Sequence, residues 1–398
     1  MPRILRIFNR MIIGGPALNV SLLTKHIDPA YETTLIVGSP DAHEKKADYL
    51  LKKMDIHPIY IPEMGREISM IDDMVAYHKI KSIIKELKPD IVHTHTSKPG
   101  AIGRWAAAAC HVPVVVHTFH GHVFHSYFSP LKTKIYIGIE RRLAQKSTKL
   151  IAISDIQKKE LTETYKIAPP EKVDVINLGL NLEPFTEHVA DKRKTFREQY
   201  QLPDEVIAIG IIGRLAPIKN HRLFIDAIHQ LTQRGQQKIR GLIIGNGECM
   251  ADLQAYCTSL QLGFSTPENP DYSQPIIFTS WRTDIDVVNA GLDIITLTSF
   301  NEGTPVSIIE AQAAAKPIVA TLCGGIRDVV LENKTALLSP VDNKEMFIQH
   351  LEQVVNNADL RASMSEHGPA FAIKRFGYKR LITETEALYA KLLAEAGR

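Results

Sequence analysis

Cysteine is scarce in this chain: Cys110, Cys249, Cys257 and Cys323 are the four among 398 residues, and no two form a CxxC pair. That excludes a dense disulfide framework and a CxxC redox motif, and it suits a reducing cytosol. Long apolar runs are lacking as well. None approaches the roughly 20 residues that a bilayer-spanning helix needs, so any membrane contact is expected to be peripheral. The opening Met1-Pro2-Arg3-Ile4-Leu5-Arg6-Ile7-Phe8 has neither the apolar core nor the small-residue cleavage site of a signal peptide and reads as a short strand. No charge of one sign dominates: 47 Lys+Arg against 44 Asp+Glu leave +3, which argues against a dedicated nucleic-acid binder. The Walker pattern G-x-x-x-x-G-K-[ST] is missing, which disfavours a P-loop NTPase, and there is no low-complexity segment or sequence repeat.

What remains is an ordinary globular composition, 44% hydrophobic and 23% charged, in a chain too long for one core. Two domains of about 200 residues are the natural division. From residue 4 to 177, Ile- and Val-rich runs at 33–37, 56–61, 90–93, 113–118, 149–153 and 173–176 alternate with helical patterns. Such a βα rhythm predicts a parallel sheet covered on both faces. It pauses over 178–204, where charges, Pro184 and Pro203 mark a boundary, and restarts at 206–213, 239–244, 275–279, 292–297, 317–321 and 336–338. Helices are expected at 343–356, 359–375 and 378–394, the last returning to the first domain. The expected domains are 1–183, joined by 378–398, and 184–377.

The most telling segment is Ser299-Phe300-Asn301-Glu302-Gly303-Thr304-Pro305-Val306-Ser307-Ile308-Ile309-Glu310, which follows the apolar run 292–298. Gly303 loosens the turn and Pro305 suits the first helical position, where no N–H is needed. The free N–H groups at the helix start favour a diphosphate. Glu302 before the helix and Glu310 on it are acceptors for sugar and ribose hydroxyls. Upstream, Gly213-Arg214-Leu215-Ala216-Pro217-Ile218-Lys219 puts two cations at another strand's end. Taken singly, Arg214 and Lys219 read as solvated loop cations; coupled to the Glu302/Glu310 segment they read as a grip on a diphosphate leaving group.

Several weaker signals keep two readings each. Gly245 and Gly247, in Gly245-Asn246-Gly247-Glu248, either admit a ligand to the backbone or make a strand-to-helix turn. Trp281 and Arg282 either frame a base or pack at a domain surface. Gly14 and Gly15, ahead of Pro16, either open a helix start to a phosphate or acceptor or merely turn. His117, His120, His122 and His125 crowd one strand end without a Cys or acidic partner, a poor zinc set, so one or two imidazoles facing the ligand are preferred. His93 and His95 are candidates at a neighbouring strand end. Asp284-Ile285-Asp286 is read as a helix start and not as a metal-binding DxD. The stretch 130–150, with Lys132, Lys134, Arg141, Arg142, Lys146 and Lys149, is either a basic helix for an anionic membrane or a charged outer face.

Together the E-x7-E segment Glu302 to Glu310, the run Gly213 to Lys219, the Gly14-Gly15 pair and the His120-Gly121 pair resemble the retaining glycosyltransferases of family 4. The resemblance spans nearly the whole chain. It implies an α/β GT-B fold, two Rossmann-like parallel-sheet domains facing an interdomain cleft, with the donor in the second domain and the acceptor in the first. It implies that Arg214 and Lys219 bind the donor diphosphate, Glu310 the ribose and Glu302 the transferred sugar. Gly303, Thr304, Pro305, Val306 and Ser307 would form the loop beneath them. His120 would contact the sugar near the reaction centre, and Gly14 and Gly15 would line the cleft from the acceptor side. No cofactor and no essential metal are implied, the nucleotide sugar being a substrate and a UDP-sugar being favoured. The His-rich run looks like that of bacterial enzymes of surface-polysaccharide assembly, which implies a lipid-linked saccharide acceptor and a cytoplasmic, peripherally membrane-bound protein. A sugar-nucleotide 2-epimerase and a non-catalytic sugar-nucleotide sensor share the same features. A glycoside hydrolase would not need the separate cationic site.

Overall fold

The apolar runs become strands of two parallel sheets in a computed structural model that describes residues 1–12, 14–39, 47–65, 69–121, 130–236 and 238–398. In the first unit the strands are β1 (Arg3–Arg10), β2 (Glu32–Gly38), β3 (Ile59–Tyr60), β4 (Ile91–His95), β5 (Val114–Phe119), β6 (Lys149–Ala152) and β7 (Val173–Val175). They lie side by side in the order β3-β2-β1-β4-β5-β6-β7. The second unit holds β8 (Ile207–Ile212), β9 (Ile239–Ile244), β10 (Phe264–Ser265), β11 (Ile276–Ser280), β12 (Ile294–Leu297), β13 (Ile318–Leu322) and β14 (Ala336–Pro340). Their order is β10-β11-β9-β8-β12-β13-β14. The strand order reverses between β1 and β4 in the first sheet and between β8 and β12 in the second, where β11 also lies between β9 and the edge strand β10. Crossover helices following such a pair pass to opposite faces of the sheet and leave a crevice at the carboxyl ends, where ligands of open α/β sheets collect.

The first unit comprises Met1–Leu180 and Phe376–Arg398, the second Asn181–Arg375. The C-terminal helix, Tyr378–Glu395, sets Leu381, Leu388 and Leu392 against Ile4, Leu23, Ile91 and Val116 of the first unit. Each such leucine contributes about 1.5–3 kcal/mol when fully buried. Backbone bonds Leu180 N–H to Phe376 O (2.7 Å) and Tyr378 N–H to Leu180 O (3.0 Å) fix where this helix re-enters. In the second unit the His221–Gln233 helix presents Phe224, Ala227, Ile228 and Leu231, at helical spacing, to Ile209, Ile243 and Phe278 of the sheet.

Four expectations need correction. The expected strand 56–61 is only the two-residue β3, whose side chains are exposed at the sheet edge. The second sheet gains β10, too short to show a period in the sequence. The expected helix 359–375 is two, Ala358–Glu366 and Gly368–Phe376. The break falls where Gly368 packs so tightly that a Cβ would stand 2.7 Å from the Gln312 carbonyl oxygen. The basic stretch 130–150 is a helix only over Pro130–Lys146. Lys149 belongs to β6, where its Nζ donates to the Glu171 carbonyl at 2.7 Å and pairs with Asp174 at 3.2 Å.

Candidate functional site

In the second unit the loops after β8 and β12 are stitched together, because the two strands are neighbours at the reversal of strand order. After Ile212 the chain passes Gly213 and Arg214 into a tight turn, Pro217–Lys219, and then the His221 helix. The Phe300 N–H donates to the Ile218 carbonyl at 2.9 Å, and Thr298 Oγ1 donates to the Lys219 carbonyl at 2.9 Å. From β13, Thr321 Oγ1 donates to the Ser299 carbonyl at 2.7 Å. Held by this frame, Lys219 Nζ and Ser299 Oγ both donate to Glu302 Oε1, each at 2.5 Å. The pair is mostly screened from solvent, Lys219 at 27% and Glu302 at 11% side-chain exposure. Oε2 of Glu302 lies outside these bonds, so a carboxylate oxygen remains for a ligand hydroxyl.

The helix that follows is Val306–Ala313. Pro305 is its N-cap, in an extended conformation, and not its first helical residue as expected. Its carbonyl already accepts from Ile308 N–H at 3.1 Å and Ile309 N–H at 3.3 Å, which leaves the N–H groups of Val306 and Ser307 at the positive end of the helix. Glu310 sits on the helix one turn in. Burial first, and the nearby Asp286 carboxylate second, push its carboxyl up to about 8. No hydrogen bond to that carboxyl is found among the described residues. An unpartnered carboxyl in a desolvated place is costly to charge, and hydroxyl donors from a ligand would relieve that cost.

Gly303 is exposed, with nothing within 4 Å of where a Cβ would stand, so it hinders no ligand. Two glycines missed in the sequence matter more for the shape of this loop. Gly324, at φ +47°, would put a Cβ 1.8 Å from the Glu302 carbonyl oxygen, and Gly325 would put one 2.1 Å from that of Gly303. The Gly325 N–H donates to the Glu302 carbonyl at 3.1 Å. A Gly-Gly pair one residue beyond β13, after Cys323, was the available signal.

The weaker candidates of this unit are placed as follows. Arg214 is 71% exposed and lies 3.8 Å from Glu248, a loose pair that leaves its guanidinium available. Gly245 and Gly247 make room for the protein's own backbone: Cβ atoms there would stand 1.9 Å from the Gly213 carbonyl oxygen and 2.3 Å from that of Leu215. Their glycine character is required by the packing of the Arg214 loop. Arg282 is committed to Asp284, at 2.8 and 2.5 Å, and to Gln199 and the Tyr200 hydroxyl, at 2.9 and 3.0 Å, while Trp281 beside it is partly exposed. Asp284 is the N-cap of the Ile285–Gly291 helix, and Asp286 pairs with Lys192 at 2.8 Å.

In the first unit Gly14 caps the Gly15–His26 helix, just past the end of β1. His120 follows β5, and His95 ends the adjacent β4. His95 Nδ1 and His120 Nε2 are 3.0 Å apart, and burial drives His120 down to about 4, so its imidazole is neutral at physiological pH. His122 and His125 lie outside the described residues. Among the described residues no group of three His, Cys, Asp or Glu is disposed to hold a metal, and no helix is long and apolar enough to cross a membrane. On the 130–146 helix, Lys132, Lys134, Arg142 and Lys146 are exposed beside exposed Leu131 and Ile135, whereas Arg141 donates to the Tyr165 and Lys166 carbonyls at 2.7 and 3.1 Å.

Residues 13–184 match the family described as Glycosyltransferase Family 4, and residues 192–371 match Glycosyl transferases group 1. The chain is 28% identical over 340 residues, 85% of its length and 84% of the relative's, to the UDP-Gal:alpha-D-GlcNAc-diphosphoundecaprenol alpha-1,3-galactosyltransferase of Escherichia coli. It is 24% identical to the capsular polysaccharide biosynthesis glycosyltransferase CapM of Staphylococcus aureus, over 87% and 88% of the two chains. Among solved structures, Anabaena Alr3699/HepE in complex with UDP superimposes with a TM-score of 0.79 at 19% identity, covering 98% of this chain and 100% of the other. A Rickettsia africae glycosyltransferase gives 0.79 at 23% identity, covering 98% of each.

Proposed function

The chain belongs to the glycosyltransferases of GT-B type, and from that premise we propose that it is a metal-independent, retaining hexosyltransferase. In this reading it moves a sugar from a UDP-sugar to a lipid-linked saccharide in surface-polysaccharide synthesis. The observation that carries the reading is the preset Lys219–Glu302–Ser299 cluster standing beside a helix start and the unpartnered Glu310. A cation, backbone donors and two carboxylates of different environment are what a nucleoside diphosphate sugar needs. The UDP and UDP-glucose complexes of Anabaena Alr3699/HepE support the donor, and the Escherichia coli relative's name supports both UDP-Gal as the kind of donor and a diphosphoundecaprenol-linked acceptor.

The diphosphate lies at the Val306 and Ser307 N–H groups and draws Lys219 away from sole partnership with Glu302, with exposed Arg214 closing on it. Glu310 accepts from the ribose hydroxyls, and Glu302 Oε2 from the transferred sugar. As the bond from the anomeric carbon to the β-phosphate oxygen breaks, Lys219 and the helix start stabilise the developing charge without a metal. The acceptor oxygen bonds to that carbon on the same face, and its proton passes to the departing phosphate oxygen. His120, neutral, hydrogen-bonds the sugar and does not act as an acid. The exposed cations and apolar side chains of the 130–146 helix rest on an anionic inner membrane surface, where a lipid-linked acceptor resides.

The test is incubation with a panel of nucleotide sugars, with and without lipid-linked acceptor, following nucleoside diphosphate release and product mass. Acceptor-dependent release from a UDP-sugar is expected. Isomerised donor without release would replace transfer by epimerisation, and tight donor binding without any turnover would leave a sensor.

A further inference from the structure

The His120 side chain is not alone at its strand end. β4 and β5 are adjacent and in register, with His95 opposite Thr118, so the residue after β5 comes up beside the last residue of β4. The His95 and His120 ring centroids are 5.2 Å apart and their planes 28° from parallel, with Nδ1 of one 3.0 Å from Nε2 of the other. With each ring nitrogen only about an ångström from its centroid, that separation requires the rings to meet nearly edge to edge in one plane, the geometry of an N–H···N hydrogen bond. The third ring differs: His93 and His95 are 4.2 Å apart at 29°, a face-to-face stack that carries no hydrogen bond.

The stack is anchored. Arg6 Nη2 donates to the Tyr389 hydroxyl at 3.4 Å, and that hydroxyl is hydrogen-bonded to His93 Nδ1 at 2.5 Å. His93 Nε2 is hydrogen-bonded to Thr118 Oγ1 at 2.8 Å. His93 is thereby held at both ring nitrogens, and its face stacks on the His95 ring. Neither anchor reaches the next pair: His95 Nε2 and His120 Nδ1 are both buried and have no hydrogen-bond partner among the described residues. A buried polar atom without a partner is uncommon and calls for a physical reason.

We propose that His95 is a positioning residue for His120, and that the two imidazoles act as one unit with a shared tautomer. Two protons are distributed over the four ring nitrogens of the neutral pair. If His95 Nδ1 donates to His120 Nε2, both rings are Nδ1–H tautomers; if His120 Nε2 donates, both are Nε2–H. The two remaining nitrogens therefore present one donor and one acceptor in either state, never two of a kind. Because Nε2 of His120 is committed to His95, Nδ1 is the nitrogen left for a ligand hydroxyl, and a hydroxyl satisfies it whether it donates or accepts. The link to catalysis rests on the reading above, in which His120 contacts the transferred sugar; the tautomer pairing does not.

The full chain, labelled with 15N-histidine and free of ligand, tests the pairing by long-range proton–nitrogen correlation at neutral pH. His95 and His120 are expected to show the same tautomer, or the same mixture. His95→Leu should change the His120 nitrogen shifts and lower kcat at least tenfold with little change in donor KM. His95→Asn, whose amide reaches the position of Nδ1, should restore the shifts and much of kcat. Opposite tautomers on the two rings, or His120 shifts unmoved by His95→Leu while the variant stays folded, would overturn the proposal. If His95→Leu does not fold, the wild-type tautomers and His95→Asn still decide it. A wild type that shows paired tautomers yet transfers no sugar would fault the functional reading instead.

Discussion

Replacing Glu310 by Gln should abolish a proton release that accompanies donor binding. In the free protein the Glu310 carboxyl titrates at about 8, because burial and Asp286 disfavour the anion. At pH 7 it is then about nine-tenths protonated. Two ribose hydroxyls donating to it favour the charged form and lower its pKa. A bound value of about 6 would release about 0.8 proton per UDP-sugar at pH 7 and tighten binding about sixfold per unit rise in pH there. An intact UDP-sugar is the right probe, since its diphosphate diester has no proton to lose in this range. His120 and His221, both held down to about 4 by burial, stay neutral and silent. Calorimetric titration in two buffers of different ionisation enthalpy reads the release, with Glu310→Gln as the blank. The same shift has a stability sign. Since the folded-state pKa is raised above the ordinary carboxyl value of 4.5, the stabilising effect of the neutral carboxyl is full below about 4.5 and is lost as pH rises through about 8. Glu310→Gln should therefore melt above the wild type at pH 9 and alongside it at pH 5. Equal proton release by wild type and variant would refute the assignment of Glu310 to the ribose.

Three further outcomes follow from the same geometry. Lys219→Gln should lower kcat/KM by about 100- to 1,000-fold, the usual loss on removing one transition-state donor; steady-state kinetics with a UDP-sugar that left the value within threefold would remove Lys219 from the diphosphate site. Gly324→Ala should cost about 1–3 kcal/mol and most of the turnover, because the residue has φ +47° and its Cβ would strike the Glu302 carbonyl, whereas Gly303→Ala should be close to neutral in stability. Thermal melts of the two variants make the comparison, and equal melting points would contradict it. Reversing Lys132 and Lys134 to Glu should weaken sedimentation with anionic vesicles by about 1 kcal/mol or more per residue and leave neutral vesicles unaffected; identical sedimentation of both proteins would end the membrane reading.

The sheets were legible because parallel strands buried on both faces are continuous Ile/Val runs, and the runs 207–212 and 239–244 stand out between polar stretches. β3 and β10 were not, since two residues cannot carry a period. Lys219 and Glu302 were legible as candidates because each follows a strand run and carries a charge at its carboxyl end. The direct contact between Lys219 and Glu302, 83 residues apart in the chain, was not, as it depends on β8 and β12 being neighbours across the reversal of strand order. At Gly245 and Gly247 the sequence did not show that the protein's own backbone, at Gly213 and Leu215, comes close. Likewise Arg282 looked like a base-framing cation and is spent on Asp284, a carboxylate only two residues away. The pairing of His95 with His120 also escaped the sequence, because 25 residues separate them and only strand register brings their rings edge to edge.

The most direct test of transfer through this donor site is the stereochemistry and stoichiometry of a single incubation with UDP-galactose or UDP-glucose and a diphosphate-lipid-linked saccharide. Proton NMR of the early product, with UDP counted alongside, should show one sugar transferred per UDP released and the donor's own anomeric configuration kept in the new linkage. A product of inverted configuration, or UDP released without any new glycosidic bond, would contradict it.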